Sequence, residues 1–268
     1  MNKDLNYLSI NRDSWNRRTP VHVASEFYGV EEFVKGTSSL KHIELNLLGD
    51  VKDKRILHLQ CHFGQDTLSL ARMGAKVTGV DFSDKAIEAA NTLANKINTE
   101  ARFICCDIYS LPEQLNEEFD MVFTSYGTIG WLPDLDKWAK VIHHFLKPGG
   151  KFVFVEFHPV VWMFDDAFKE IKYNYFNTGP IYETESGTYA QQDAHLKTEY
   201  IGWNHSTGEV LSSLLNNGIE LLSFEEFNYS PYACFQNMVK IDEDKYQIPH
   251  LGDKIPMVFA LLGQKDKA

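Results

Sequence analysis

Polar and acidic residues follow several short apolar runs in the sequence, at the point where each run ends. His58, Gln60, His62 and Gly64 come at the end of the first run, and Asp81 ends the second. A glycine allows a tight turn and lets a ligand approach the backbone closely. A carboxylate roughly 20 residues further on is typical of a group that accepts hydrogen bonds from ribose hydroxyls. The spacing therefore indicates a nucleoside-binding site.

The end of the third apolar run adds groups suited to a purine base. Asp107 is followed directly by Ile108. The carboxylate can accept a hydrogen bond from an adenine amino group, while the Ile108 backbone N–H can donate to a ring nitrogen. Asp81 also has a structural alternative, because an acid near the start of a helix is stabilised by the helix dipole. We interpret both acids as ligand contacts.

The elements that must position these residues alternate between strand and helix patterns. The predicted strands are 55–59, 75–80, 101–105, 119–124, 151–157, 219–224 and 257–262. The predicted helices are 38–48, 67–73, one after an N-cap at Ser83, 133–146 with Pro133 in its first turn, and one from the Ser206 capping box to Gly218. Such alternation predicts a doubly wound α/β fold with right-handed crossovers. Ligands bind such sheets beyond the carboxyl ends of the strands, near the switch in strand order.

The composition of the chain excludes several classes of function. The 268 residues carry a formal charge of −11, which gives no electrostatic basis for binding nucleic acid. No apolar run approaches the ~20 residues of a membrane span. The polar N-terminus lacks the apolar stretch that a signal peptide requires. The four cysteines form no C-x-x-C pair. We therefore expect a cytoplasmic protein without a disulfide framework or zinc ribbon.

Four segments together resemble the class I S-adenosylmethionine-dependent methyltransferases. They are ILHLQCHFGQDT (56–67), VTGVDFS (77–83), CCDIYSLP (105–112) and LKPGGKF (146–152). The resemblance implies a Rossmann-like, seven-stranded, mostly parallel sheet with the last strand antiparallel. It also implies S-adenosyl-L-methionine as cofactor and S-adenosyl-L-homocysteine as product. The cofactor residues expected from it are Gln60, His62, Gly64, Thr67, Asp81, Phe82, Ser83, Asp107, Ile108 and Ser125.

The first motif departs from the family at three positions. The family has an acid where His58 stands, and glycines where Gln60 and His62 stand. The methionine end of the cofactor is then held by other groups, for which Gln60, His62, Gln65 and Thr67 are the candidates. His58 and His62 are four residues apart on a strand and loop rather than a helix, so we expect no metal site.

The absence of several known motifs limits the chemical class of the methyl acceptor. The segment after the fourth strand lacks the Asp/Asn-Pro-Pro-aromatic and Pro-Cys motifs of DNA methyltransferases, and the carboxylates of metal-dependent catechol enzymes. A metal-independent enzyme acting on a small molecule remains. His158 is the candidate base and Tyr126 a second catalytic candidate, whereas Tyr28, Trp15 and Trp162 are candidate acceptor contacts.

The chain divides into four segments by pattern. We expect an N-terminal helical lid at 1–50, a cofactor-binding core at 51–159, an aromatic-rich insertion at 160–205 and the rest of the core sheet at 206–268. The insertion, with a hairpin expected around the Ser186-Gly187 turn, serves either as a substrate lid or as a homodimer contact. Two other functions stay open. One is a non-catalytic cofactor-binding or scaffold protein, and the other is a nicotinamide-dependent oxidoreductase, which the missing G-x-G-x-x-G disfavours.

Overall fold

The computed structural model describes residues 6–267, so residues 1–5 of the N-terminal segment and residue 268 lie outside it. Its strands are β1 (Arg55–Leu59), β2 (Lys76–Asp81), β3 (Arg102–Cys105), β4 (Phe119–Ser125), β5 (Leu146–Phe157), β6 (Ile181–Ser186), β7 (Lys197–Gly202), β8 (Ile219–Phe227), β9 (Val239–Asp242), β10 (Lys245–Gln247) and β11 (Val258–Lys265). Its helices are α1 (Tyr7–Ala24), α2 (Val30–Lys35), α3 (His42–Leu48), α4 (Gln65–Arg72), α5 (Asp84–Lys96), α6 (Leu111–Gln114), α7 (Leu135–Phe145) and α8 (Thr207–Asn216).

Seven strands form one sheet in the order β3-β2-β1-β4-β5-β11-β8. The pairs along β3-β2-β1-β4-β5 are parallel, and β11 lies antiparallel to both β5 and β8. The predicted fold class is confirmed, including the antiparallel last strand. The strand order reverses between β1 and β4, so the carboxyl ends of these two strands mark the place where such sheets bind ligands.

The core lies on both faces of the sheet, which explains the nearly continuous apolar run of β5. Phe152, Phe154 and Trp138 pack on one face together with α7, and Val153 packs on the other face among residues around α3 and α4. A continuous apolar strand with packing on both of its faces is typical of a sheet that helices cover on both sides.

Two element boundaries differ from the sequence prediction. Helix α7 begins at Leu135 rather than Pro133, because the Asp134 side chain accepts a hydrogen bond from the Lys137 backbone N–H and caps the helix. The hairpin of the insertion pairs β6 with β7, so Ser186-Gly187 opens a long connection instead of forming the turn. Gly187 has φ +74° there and approaches the Gln192 backbone, a place that a side chain would not fit.

Helix α1 buries a polar face. Its buried residues are Asn11, Ser14, Arg18, Thr19 and His22. The Asn11 amide exchanges hydrogen bonds of 2.8 Å with the backbone O and N–H of Ile201 on β7. A helix that buries polar rather than apolar groups is positioned by hydrogen bonds, so α1 and the β6–β7 hairpin form one polar contact above the sheet.

Within residues 6–267, no helix combines the length and apolar character that crossing a membrane requires.

Candidate active site

The loop between β1 and α4 keeps a glycine-like backbone although two of its three turn positions carry side chains. Gln60 and His62 have φ of 54° and 51°, and Gly64 has φ of 80°. Left-handed residues other than glycine store strain and cluster at functional sites. At Gly64 a Cβ would lie 2.8 Å from the Phe103 ring, so only glycine fits there.

Gln60, through its side chain, and His62, through its backbone, tie this loop to the neighbouring strand ends. The Gln60 side-chain amide donates to the Thr128 carbonyl beyond β4, at 2.8 Å. The His62 backbone N–H donates to Asp81 Oδ2 at 2.9 Å, at the end of β2. The loop therefore spans the switch in strand order and connects three strand ends.

Asp81 lies buried where the second motif predicts it, with 7% of its surface exposed. Its Oδ1 accepts a hydrogen bond from the Ser83 backbone N–H at 2.9 Å. Burial raises the pKa of Asp81 to about 6, and the backbone donors of Ser83, His62 and Phe82 oppose that rise. The carboxylate retains lone pairs beyond those used by these donors, so it can still accept from ligand hydroxyls.

Ser83 serves the helix that follows. Its side chain accepts a hydrogen bond from the Ala86 N–H and caps α5, as predicted, and its hydroxyl donates to Asn16 Oδ1 on α1 at 2.7 Å. Helix α1 therefore contacts the start of α5, beside Asp81.

Asp107 and Ile108 lie at the end of β3. The Asp107 side chain accepts hydrogen bonds from the Tyr109 backbone N–H at 3.1 Å and from Ser110 Oγ at 3.3 Å. Burial raises the pKa of Asp107 while these donors oppose the rise. Ile108 begins a short 3-10 helix, where a backbone N–H has no partner within the helix. An adenine-like edge would find one acceptor and one donor here.

A cluster of rings lies over the β1–α4 loop, and we call it the ring cluster. Its members are Trp15, His22, Tyr28, His62, Trp131 and Tyr189. Trp15 contacts His62 at 5.2 Å between ring centroids and Trp131 at 5.2 Å, so its ring bridges the ends of β1 and β4. The Tyr28 and Tyr189 hydroxyls are 2.5 Å apart. Two of the three candidate acceptor contacts, Trp15 and Tyr28, are thus brought together.

The third candidate, Trp162, belongs to a different group of rings. It is 39% exposed and packs edge-on against Phe157 and Phe235. Its placement supports packing of the insertion more than contact with a ligand at the β1–α4 loop.

Arg18 joins α1 to the hairpin beside the ring cluster. The buried guanidinium donates to Glu185 Oε2 at 2.7 Å and to Thr198 Oγ1 at 3.2 Å. It also lies over the rings of Trp15, Trp131 and Tyr200, at 5.7, 5.8 and 5.3 Å from their centroids. The planar guanidinium of arginine can donate hydrogen bonds and lie over aromatic rings at the same time. The ammonium group of lysine is a poor substitute in such a place.

We expect Arg18→Lys to loosen α1 without unfolding the chain. The lysine keeps the charge but loses the planar fork, which lowers the local opening free energy by about 1–2 kcal/mol and speeds amide hydrogen exchange in α1 roughly five- to thirtyfold. Exchange measured by mass spectrometry reports this, with Arg17→Lys on the exposed side of the same helix as the matched control. Equal exchange in the two variants would contradict the proposed role of Arg18.

A buried acidic group lies at the end of β4. Tyr126 donates its hydroxyl to Glu44 Oε2 at 2.8 Å, and Glu44 has none of its surface exposed. Burial, together with the nearby Asp66 charge, raises the pKa of Glu44 to about 8. Asp66 in turn accepts hydrogen bonds from Ser39 Oγ at 2.6 Å and from Ser125 Oγ at 3.1 Å. Tyr126 and Ser125, both predicted site residues, are thus held by acidic side chains from α3 and α4.

Glu156 holds the backbone that follows Tyr126. Its Oε2 accepts from the Thr128 N–H at 2.7 Å, the Thr128 hydroxyl at 2.9 Å and the Ile129 N–H at 3.3 Å. Its Oε1 accepts from the Gly127 N–H. Burial raises the pKa of Glu156, and these donors oppose the rise. A single carboxylate therefore fixes the β4 loop that also binds Gln60.

His158 and His58 have structural partners. His158 lies 2.8 Å from Glu226 Oε1 through Nε2, and its Nδ1 accepts from the Val160 N–H at 3.2 Å. His58 shares a 2.8 Å hydrogen bond with Thr67 Oγ1, and burial lowers its pKa to about 3. Thr67 is fully buried against His58. These geometries favour positioning roles for His158 and Thr67 over contact with a ligand.

Two buried polar atoms at this site have no hydrogen-bond partner among the described residues. They are Gln60 Oε1 and His22 Nε2, and a third such atom, Trp138 Nε1, lies in the core. Unpaired buried atoms call for an explanation such as a bound ligand. Gln60 Oε1, together with the Asp81 and Asp107 carboxylates and the Ile108 N–H, forms a donor and acceptor set that fits a nucleoside with a polar tail. Within residues 6–267, no group of three His, Cys, Asp or Glu side chains is placed to hold a metal ion.

Sequence reasoning missed three of these residues. Arg18, Glu44 and Glu156 belong to no motif. Only Glu156 has a local signal that it is buried, because it lies inside the apolar run of β5. The unpaired ring nitrogen of His22 likewise has no signal in the sequence.

Several known proteins are similar to this chain in sequence or in fold. Residues 56–150 match the family described as a methyltransferase domain. An uncharacterized methyltransferase of Synechocystis sp. is 35% identical over 137 residues, covering 49% of this chain and 60% of that protein. A ubiquinone biosynthesis O-methyltransferase of Coxiella burnetii is 33% identical over 115 residues, covering 43% and 47%. The crystal structure of an S-adenosylmethionine dependent methyltransferase from Mesorhizobium loti superposes with a TM-score of 0.57 at 19% identity, covering 87% of this chain and 100% of that one.

The chain spans 60% and 47% of the lengths of these two curated relatives, so they inform the domain at 56–150 more than a whole protein. The solved structure, at its low identity, supports the fold. The resemblance predicted from the four sequence segments is confirmed.

Proposed function

This chain contains a class I S-adenosylmethionine-dependent methyltransferase domain, and from that premise we propose that it transfers a methyl group from S-adenosyl-L-methionine to a small-molecule acceptor without a metal ion. The observation that carries the proposal is the β1–α4 loop. It keeps the left-handed turn at Gln60, His62 and Gly64 and presents its backbone to the buried Asp81 carboxylate.

The residues that would hold the cofactor follow the strand ends. Asp81 would accept from the ribose hydroxyls, and Asp107 with the Ile108 N–H would bind the adenine edge. The unpaired Gln60 Oε1 is available for a polar group of the cofactor near the loop. When bound, the cofactor supplies a methyl group already activated by a sulfonium, so the protein's remaining tasks are to align the acceptor and exclude water.

We infer that the acceptor binds beneath α1 and the β6–β7 hairpin, which act as a lid. The ring cluster supplies planar apolar walls at the strand-order switch. Walls of this kind suit a small, largely apolar ligand with few polar groups. The net charge of −11 disfavours a nucleic-acid acceptor. The Coxiella burnetii relative, by its name, is an O-methyltransferase of ubiquinone biosynthesis, which supports a small acceptor.

One observation keeps a second candidate open, a cofactor-binding protein without transferase activity. Side chains occupy two positions that are glycines in the family, and the ring of His62 lies within the ring cluster. If these rings exclude an acceptor, the fold binds the cofactor and transfers nothing.

A transfer assay distinguishes these candidates. The protein is incubated with S-adenosylmethionine labelled in its methyl group and a panel of small hydroxyl, amine and thiol acceptors, with DNA and RNA as controls. We expect label in a small acceptor and none in nucleic acid. Cofactor binding without label in any acceptor would favour the second candidate, and label in nucleic acid would overturn the acceptor class.

A further inference from the structure

A buried ring nitrogen without a partner lies at the switch in strand order. His22, in the last turn of α1, is fully buried, and its Nδ1 is 3.3 Å from His62 Nε2. Its other nitrogen, Nε2, has no hydrogen-bond partner among the described residues. Leaving a buried polar atom unpaired is unfavourable, so such an atom points to a ligand or a chemical role.

The position of His22 relative to the loop is fixed by its neighbours. His62 belongs to the β1–α4 loop, and its backbone N–H binds Asp81. Trp15 contacts both His22 and His62 and reaches Trp131 beyond β4. His22 therefore stands above the gap between β1 and β4, where the methyl group would be delivered.

The surroundings of His22 are planar. Its ring stacks on Tyr28 at 5.3 Å and 26°, and Tyr189 lies 4.8 Å away. The titratable and charged groups that face it are Arg18 on α1, His62 on the loop, Tyr28 between α1 and α2, and Tyr189 on the β6–β7 connection. A flat ring is the acceptor shape that such a surface accommodates best.

We propose that His22 is the general base of the reaction, taking the proton of an aromatic hydroxyl acceptor on its Nε2 atom. The inference rests on the proposed function. A thiol ionises readily near neutral pH, and a neutral amine can attack before it loses a proton. An aromatic hydroxyl is mostly un-ionised at neutral pH, so it is the acceptor for which a positioned base matters most.

The transfer balances with the residues present. The acceptor O–H bond breaks and its proton goes to His22 Nε2. The acceptor oxygen forms the new bond to the methyl carbon, and the methyl–sulfur bond breaks with its electron pair left on sulfur. With the tautomer in which His22 Nδ1–H donates to His62 Nε2, the resulting positive charge is shared across the histidine pair.

Burial explains why this proton transfer is coupled to methyl transfer. Burial, with the Arg18 charge, lowers the pKa of His22 to about 3, so the free ring is neutral and its base form is available at neutral pH. The site carries one positive charge on the sulfonium before transfer and one on the imidazolium afterwards. Because the buried charge does not increase, the burial that disfavours His22 protonation in the free protein does not oppose the step.

The test uses 4-methylphenol as the acceptor probe, since its hydroxyl, like that of tyrosine, is un-ionised at neutral pH, and 4-methylaniline as the matched amine. Both are titrated into the full chain saturated with S-adenosylhomocysteine, and their methylation is measured with S-adenosylmethionine. We expect the phenol to bind and to be methylated in preference to the aniline.

The variant His22→Asn keeps a donor near the Nδ1 position for His62 and lacks the Nε2 atom. We expect it to lower kcat for the phenol at least 100-fold while S-adenosylhomocysteine affinity changes less than about threefold. Added imidazole restores part of the rate, and the remaining rate rises with pH as the phenol ionises. His144→Asn, an exposed histidine of α7, is the matched control and leaves kcat unchanged.

Several results would overturn the inference. They are a kcat for His22→Asn within about threefold of wild type, loss of rate with no rescue and an unchanged pH profile, or preference for the aniline. Failure of S-adenosylhomocysteine to bind the wild-type chain would instead remove the proposed function on which the inference rests, and calorimetry reads that result separately.

Discussion

Replacing Asp81 by alanine should weaken S-adenosylhomocysteine binding by about 100-fold. A buried carboxylate that accepts from ligand hydroxyls contributes roughly 1.5–3 kcal/mol for each charged hydrogen bond, and alanine removes these bonds. Asp81 is 7% exposed and already held in place by the N–H groups of His62 and Ser83, so its orientation needs no rearrangement on binding. Calorimetric titration gives the affinity directly.

Two further proteins make this result interpretable. Glu88→Ala removes an exposed acid from α5, the helix that follows Asp81, and we expect it to change the affinity less than twofold. Asp81→Asn keeps the side-chain shape if alanine disturbs the His62 backbone contact. Wild-type affinity in both Asp81 variants, with the fold intact by circular dichroism, would show that the ribose lies elsewhere.

The same carboxylate predicts a pH dependence. Because burial raises the pKa of Asp81 to about 6, the free protein holds a proton there at about pH 5 and an ionised group at about pH 7.5. The ligand hydroxyls favour the ionised form, so affinity is highest above pH 6 and falls by up to about tenfold for each unit below it. Binding near pH 5 then releases a proton, and Asp81→Asn removes both effects.

Replacing Glu156 by alanine should cost about 3–5 kcal/mol of unfolding free energy. The substitution leaves the N–H groups of Gly127, Thr128 and Ile129 without the carboxylate that accepts from them inside the protein. The β4 loop should loosen as well, since Thr128 also accepts from Gln60 through its carbonyl. Urea denaturation measures the loss, and exchange of the loop amides locates it.

Glu225→Ala is the comparison for Glu156. Glu225 lies exposed on β8, and its removal should change stability by no more than about 0.5 kcal/mol. The unfolding free energy of Glu156→Gln should fall between those of wild type and Glu156→Ala. The amide oxygen still accepts hydrogen bonds, whereas the NH₂ group faces other donors. A Glu156→Ala protein as stable as the Glu225→Ala protein would contradict the assignment of Glu156 as the group that fixes the β4 loop.

The sequence predicted the sheet and the strand-end acids because those features depend on local pattern. Apolar runs of strand length separated by helical periodicity are sufficient to place Asp81 and Asp107 at one edge of a parallel sheet. Ser83 was recognisable as an N-cap for the same local reason.

The residues that sequence reasoning did not find depend on contacts between distant parts of the chain. Arg18 meets Glu185 across 167 positions, and Glu44 meets Tyr126 across 82. No periodicity encodes such pairs. His158 depends on distant contacts in the same way: its place after β5 suggests a base, and the structure adds that its ring nitrogens contact Glu226 and the Val160 N–H.

Calorimetric titration of the wild-type chain with S-adenosylhomocysteine, and separately with NADH, tests the central claim most directly. We expect saturable binding of S-adenosylhomocysteine at one site per chain and no heat of binding with NADH. Absence of S-adenosylhomocysteine binding from a folded chain, or tighter binding of NADH, would contradict the account.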